Sequence, residues 1–341
     1  MNVFIKKDNL LVFTPEGIYC PQAGVYLDPL RKVEKALISH AHSDHARAGS
    51  LSYLCSAACE APLRHRLGKK TNIETLSYGR KLTIRGVDFS FHPAGHVPGS
   101  AQIRVEHKGD VWVYSGDYKL EDDGISDAFE PVKCNTFITE TTFALPVYSW
   151  KPQRFVFEEI NAWWRDNARQ GIVSVIIAYS LGKAQRILKY LDTSLGNVYA
   201  HPAISEMNQV FMDEGIQLPP HFSLPAGGFK GEIPRNAMIL LPPAAAESTW
   251  LSKHEPVSKA FASGWMSIRG SRRRSAAPKG FALSDHADWP SLIEAVKLSE
   301  ASRIITTHGY KQVFARWLNE QGWNAEVSAS DYYSGDETAD Q

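Results

Sequence analysis

Between residues 81 and 119 apolar and polar positions alternate with little interruption. "KLTIRGVDFSFHPAGH" and "AQIRVEHKGDVWVYSGDYK" therefore read as half-buried antiparallel strands, with "GHVPGS" and "HKGD" as turn-like breaks. Upstream, "LLVFTPEGIYC" and "VYLDP" read as further short strands, the second ending at Asp28, and Ala36-Leu37-Ile38 as a buried one. Helix is sparse in this first third, and "APLRHRLG" is its best candidate.

The pattern then changes. "QRFVFEEINAWWRDNARQG" has helical periodicity ending at Gly171, a suitable C-cap, and "IVSVIIAYS" is a continuous apolar, β-branched strand. "KAQRILKYLD" is an amphipathic helix, while "NAMILLPPAAA" and "KAFASGW" read as strands. Helix alternating with buried strand is the mark of a doubly wound α/β unit. Beyond about residue 280 short strands return, with helices expected at "DWPSLIEAVKLSE" and "KQVFARWLNEQG" around the strand "RIITTHGY". No internal repeat is visible. "RGSRRRS" is a basic low-complexity stretch, and the acidic "SGDETADQ" reads as disordered.

Composition narrows the class. The chain has 341 residues, 43% hydrophobic and 22% charged, an ordinary globular balance with enough length for one large core or two smaller ones. No apolar run approaches the roughly 20 residues of a bilayer span, and the first residues lack the apolar core of a secretory signal, so a cytoplasmic location and no membrane are expected. Lys plus Arg and Asp plus Glu balance at 37 each, so attraction for a polyanion has to come from a local patch. The cysteines at 20, 55, 59 and 134 match no metal-binding spacing. Cys55 and Cys59, four apart, suit one helix face, and all four read as small core residues of a reducing compartment.

One stretch stands apart. "ALISHAHSDHARAG" crowds His40, His42, Asp44 and His45 into the mouth of the Ala36–Ile38 strand. Imidazoles suit Zn²⁺, and an added carboxylate suits a water-bearing catalytic site. Histidines two apart fit a strand-end loop better than a helix, and four ligands are too many for one zinc with an open position, which points to two metals. His96, Asp117 and His308 also follow apolar strands, in "PAGHVPGS", "VYSGDYK" and "IITTHGY".

These motifs, "HAHSDH", "AGHVPGS" and "SGDY", resemble motifs two to four of the metallo-β-lactamase fold, with Asp28 similar to its first-motif aspartate. "ITETTF" with Glu140, "ALSDHADW" with His286 and "THGY" with His308 resemble motifs A, B and C of the β-CASP nucleases. The helical stretch "SLGKAQRIL" resembles one in their inserted domain, and "ASGWMSIRGSRRR" followed by "FALSDHADW" is similar to the bacterial ligase-associated DNA exonucleases. The resemblance implies an αββα metallo-β-lactamase sandwich at residues 1–145 and 281–341, interrupted by an α/β β-CASP domain at 146–280. It implies a first metal on His40, His42 and His96 and a second on Asp44, His45 and His308, bridged by Asp117, with Asp28 as buttress. Zn²⁺ is the expected ion, Mn²⁺ its substitute, and two such ions activate a hydroxide for attack on phosphorus.

Asp44, His286 and Glu140 are thus the expected catalytic residues, His286 as acid for the leaving O3′ and Glu140 orienting it. The plainer alternatives are a helix N-cap at Ser284 or Asp285 beside His286, and an exposed strand-end carboxylate at Glu140. Arg269, Arg272, Arg273 and Arg274 are candidate phosphate contacts, or a solvated loop; Ser180 and Lys183, with Gly182, form a weaker anion site at a helix start. Trp163 and Trp164 read as packing residues. The implied function is a DNA exonuclease of repair acting on single strands or ends, with an ATP-dependent ligase and a helicase as partners. His308 also fits an RNA-processing ribonuclease. A lactamase- or thioesterase-type hydrolase is disfavoured by Glu140 and His286, and a non-catalytic scaffold by the complete ligand set.

Overall fold

The computed structural model describes residues 9–225, 227–268 and 279–329, which form two compact units. The first comprises residues 9–122, 126–146 and 286–329; the second comprises 123–125 and 147–285, apart from the undescribed positions. Among the described residues no helix is long and apolar enough to cross a membrane.

The first unit holds two sheets. The alternating stretch becomes four antiparallel strands, Leu82–Ile84, Val87–Pro93, Ala101–His107 and Asp110–Tyr114. Its two-residue hairpins, Arg85-Gly86 and Lys108-Gly109, have positive φ at both central residues, the twist that tight hairpins require. The sheet continues in parallel through Thr136–Glu140, Arg303–Thr307 and Ala325–Val327. Period-two alternation decides which residues face where. Phe89, Phe91, Ile103, Val105, Trp112, Tyr114, Ile138 and Ile305 pack against Leu27, Leu37 and Leu54 of a second, six-stranded sheet. Val113, Phe137 and Ile304 face the other way, onto Leu292 and Val296 of the helix Trp289–Ser299 and Phe314 and Leu318 of the helix Lys311–Glu320. The short helix Glu60–Leu67 lies against the edge strand Ile73–Leu76 of the six-stranded sheet. This is the expected αββα sandwich.

The second unit is built on one sheet whose six strands all run parallel. Val173–Ile177 and Met238–Leu241 lie at its centre, buried along their whole length, as the continuous apolar runs require. The helices Gln153–Arg169, Lys183–Tyr190 and Pro202–Asp213 all contribute to one core, with Trp164 fully buried. The opposite core is lined by Leu224, Ile233 and Leu251, which lie outside α-helix.

Two local expectations are corrected. Cys55 belongs to the strand Ser52–Ser56 and Cys59 to the 3₁₀ turn after it, so they share no helix face. That turn is capped by the Ser56 hydroxyl, which accepts from the Cys59 N–H, and the helix begins only after it, at Glu60. All four cysteines are free, and Cys20, Cys55 and Cys59 are buried. The N-cap of Trp289–Ser299 is Asp288, which accepts from Ser291 N–H, and not Ser284 or Asp285.

Candidate metal centre and catalytic pair

Strand direction gathers the site. Asp110–Tyr114, Thr136–Glu140 and Arg303–Thr307 are parallel neighbours, and Val87–Pro93 runs the same way two strands along. Their C-terminal ends therefore share one edge of the sheet and deliver His96, Asp117, Glu140 and His308 there. The loop after Lys35–Ile38 in the facing sheet supplies His40, His42, Asp44 and His45. All belong to the first unit.

Ring nitrogens converge at close range. His42 Nδ1 is 3.1 Å from His40 Nε2 and 3.0 Å from His96 Nε2. Asp117 Oδ2 lies 3.6 Å from His40 Nε2, 3.9 Å from His96 Nε2 and 3.2 Å from His45 Nε2. Asp44 Oδ2 is 3.5 Å from His45 Nε2. Donors roughly 2.0–2.1 Å from a tetrahedral ion lie about 3.3 Å apart, so these separations match the edges of coordination shells. Asp117 belongs to both groups and to a third with Glu140 and His286, and its Oδ2 is the oxygen that faces His40, His45 and His96. His308 stands beside them, its ring stacked on that of His45 at 5.6 Å, outside the tightest donor groups.

Electrostatics favours the metal-binding form at His40, His308 and Asp117, but not at His45. Burial, reinforced by the neighbouring imidazoles, pushes the His40 pKa well below the usual value and leaves the ring neutral, the form that binds metal. His308 is lowered by burial too, against the pull of Asp117. Burial opposes ionisation of Asp117, yet His45, His286 and His40 outweigh it and hold the carboxyl well below its usual range. Burial likewise opposes protonation of His45, but Asp117, Asp44 and Asp28 raise it overall.

Asp28 lies behind the cluster. It faces His45 Nδ1 at 2.7 Å and accepts from Ser39 N–H at 2.8 Å and the Ser39 hydroxyl at 2.5 Å. The same hydroxyl is 3.0 Å from His40 Nδ1. Asp28 thus fixes both the His45 ring and the first turn of the His40–His45 loop, as an outer partner of a metal site would.

Beside the donors lies a second constellation. Glu140, only 1% exposed, holds His286 Nδ1 at 3.1 and 3.0 Å from its two oxygens. The His286 ring packs on that of His96 at 4.7 Å, so the pair adjoins the first metal group. Glu140 is a buried acceptor in a network; the exposed strand-end carboxylate is excluded.

No family model matches the chain. A protein of Opitutus terrae described as a probable DNA ligase is 32% identical over 311 residues, which is 91% of this chain and 30% of that protein. Cleavage and polyadenylation specificity factor 73 of Drosophila melanogaster is 29% identical over 160 residues, 46% of this chain and 23% of the relative. An RNase J-like protein of Methanocaldococcus jannaschii is 28% identical over 196 residues, 48% of this chain and 44% of the relative. The chain belongs to the β-CASP metallo-β-lactamase family. It spans less than half the length of each of these relatives.

In this β-CASP chain the remaining sequence candidates fall elsewhere. Lys183 is 1% exposed, with Nζ 3.5 Å from Asp285 Oδ2 and 4.6 Å from the centre of the Tyr179 ring. Its charge faces an internal carboxylate and not an open anion site. The Gly182 N–H, expected to be available to an anion, donates instead to Gln185 Oε1. Ser180 lies at the same strand-to-helix turn, its carbonyl accepting from the Gln185 amide. Arg269, Arg272, Arg273 and Arg274 lie outside the described residues. Trp163 and Trp164 pack in the second unit's core, as expected. Sequence reasoning missed Ser39, Tyr118 and Thr142, which bond to Asp28 or Glu140 through common donor groups that no spacing marks.

Proposed function

We propose that this chain is a two-metal phosphodiesterase that removes nucleotides from DNA ends during repair. The observation that supports this reading best is the Glu140–His286 pair beside the His/Asp cluster: a metal centre with a positioned proton donor. His40, His42 and His96 would hold one ion and Asp44, His45 and His308 the other, with Asp117 shared and Zn²⁺ the expected metal. When bound, such ions supply Lewis acidity towards phosphoryl oxygens and lower the pKa of water towards ~7. Asp44 and Asp117 keep the site anionic enough to retain two dications. His286, with Nδ1–H donated to Glu140, presents its other nitrogen for the leaving O3′; the imidazolium gives up that proton and ends as the neutral Nδ1–H ring.

DNA is favoured over RNA by the relative described as a probable DNA ligase, which matches nearly the whole chain and suggests work on DNA ends alongside a ligase, and by family association a helicase. RNA is the second reading: the other relatives carry names of RNA-processing proteins, and His308 is the residue such members have in motif C. The test is incubation with 5′- and 3′-labelled single strands of DNA and of RNA, with Zn²⁺ or Mn²⁺, alongside His286→Ala. Stepwise loss of DNA from one end, reduced about 10²–10⁴-fold by the substitution, is expected. Preferential RNA cleavage moves the chain to the ribonuclease reading, and no cleavage of either with metal bound removes both.

A further inference from the structure

Glu140 is a buried carboxylate whose neighbours can be accounted for one by one. Oε1 accepts from Tyr118 N–H at 2.9 Å, Oε2 accepts from the Thr142 hydroxyl, and both face His286 Nδ1. A carboxylate in this position can rotate about its own terminal bond, and each rotation changes how well it meets the imidazole. Two donors on opposite oxygens stop that rotation. One is a main-chain N–H fixed by the fold. The other is a side-chain hydroxyl that sequence and mutation can change.

The hydroxyl is itself held in place. Thr142 follows the strand Thr136–Glu140, and its neighbour Thr141 ties that strand end to the next: the Thr141 hydroxyl donates to Thr307 O at 2.8 Å and contacts His308 O, while Tyr310 N–H donates to Thr141 O at 2.9 Å. Gly309 presses on the same point. A Cβ there would come 2.4 Å from Thr141 O and 2.6 Å from Thr142 Cα. The main chain of Thr142 has little room to move, and its hydroxyl is a preorganised donor. Phe143, the next residue, sets its ring edge to face against His286 at 5.9 Å.

We infer that Thr142 is a positioning residue for the proton-donating histidine: its hydroxyl locks the Glu140 carboxylate so that the proton of His286 stays on Nδ1 and the opposite nitrogen addresses the leaving group. The Thr142 hydroxyl is hydrogen-bonded to Glu140, so its effect reaches the site through the Glu140–His286 pair. The inference rests on the phosphodiesterase reading for its kinetic consequence, but its structural consequence can be read without any turnover.

The experiment compares the full metal-loaded chain with Thr142→Val, which keeps the shape and removes the donor, and Thr142→Ser, which keeps the donor. Two substrates separate the effects: a DNA oligonucleotide, whose alkoxide leaving group needs a proton, and bis(p-nitrophenyl) phosphate, whose phenolate leaving group needs none. The expected result is a kcat on the oligonucleotide at least ten times more reduced by Thr142→Val than kcat on the aryl ester, with KM little changed and Thr142→Ser close to wild type. In parallel, ¹⁵N spectra of the Zn²⁺-loaded proteins, at a pH where the His286 ring is neutral, should show the proton on Nδ1 in wild type and a gain of the Nε2–H form in Thr142→Val. Equal losses on both substrates, or a wild-type tautomer in Thr142→Val, overturns the assignment. If wild type cleaves neither substrate, the functional reading fails, and the tautomer then decides the role of Thr142 by itself.

Discussion

Asp28 has two carboxylate oxygens and three contacts from two residues, Ser39 and His45, and each contact leads to the His40–His45 loop. The 2.7 Å contact with His45 Nδ1 sets which nitrogen of that ring is left for a cation, and the two bonds from Ser39 fix the backbone just before His40. Removing the carboxylate leaves all expected ligands in the chain but releases their orientation. We expect Asp28→Ala to weaken retention of divalent metal about 10- to 100-fold, as loss of outer partners commonly does. Metal content measured after dialysis against a graded competitor chelator checks this, and wild-type retention would sink it. The residue itself was legible as a strand-end aspartate through its family resemblance. Its dependence on Ser39 was not, because a serine between a strand and a histidine has no pattern of its own.

At the level of elements, the site depends on strands stopping together. Arg303–Thr307 pairs in register with Thr136–Glu140 down to Thr307 opposite Glu140, and the chain must then turn sharply. It does so with two successive left-handed residues, His308 at φ 56° and Gly309 at φ 48°. For histidine this conformation is costly, and for residue 309 any side chain would also strike Thr141 O. Gly309→Ala should therefore destabilise the protein by about 1–3 kcal/mol, through strain and overpacking together. The urea midpoint reports it, and an unchanged midpoint would mean the turn relaxes freely. The alternating strands 82–114 and the parallel apolar strands were legible from period and composition. Short strands such as Ser52–Ser56 and Ile73–Leu76, and the helix Pro202–Asp213, were not. In Ile73–Leu76 two of four residues are exposed, so edge pairing, which leaves no periodic trace, makes the strand.

Across the whole molecule, charge neutrality hides local imbalances that burial makes expensive. The second unit encloses Arg186 and Lys183 around one carboxylate: Arg186 Nη1 donates to Asp285 Oδ1 at 3.0 Å and Ser284 O at 2.7 Å, and Nε to Gln153 Oε1 at 2.9 Å. Lys183 reads as part of a weak anion site at the helix start, and nothing in the pattern marks Arg186, so their burial against a residue far along the chain could not be anticipated. The first unit holds every expected metal ligand, and each unit has its own apolar cores. Two perturbations should therefore separate. Stripping metal removes ligand stabilisation from the first unit, about 4 kcal/mol for an ion present at a thousand times its Kd. Arg186→Met breaks a buried ion group in the second, at a cost of about 3–5 kcal/mol, and adding Asp285→Asn should deepen the loss, because the buried Lys183 ammonium then has no carboxylate facing it. In scanning calorimetry a chelator should lower one transition and Arg186→Met the other. A chelator and Arg186→Met that shift the same transition equally would show that the two units do not unfold separately, and that metal binding stabilises both.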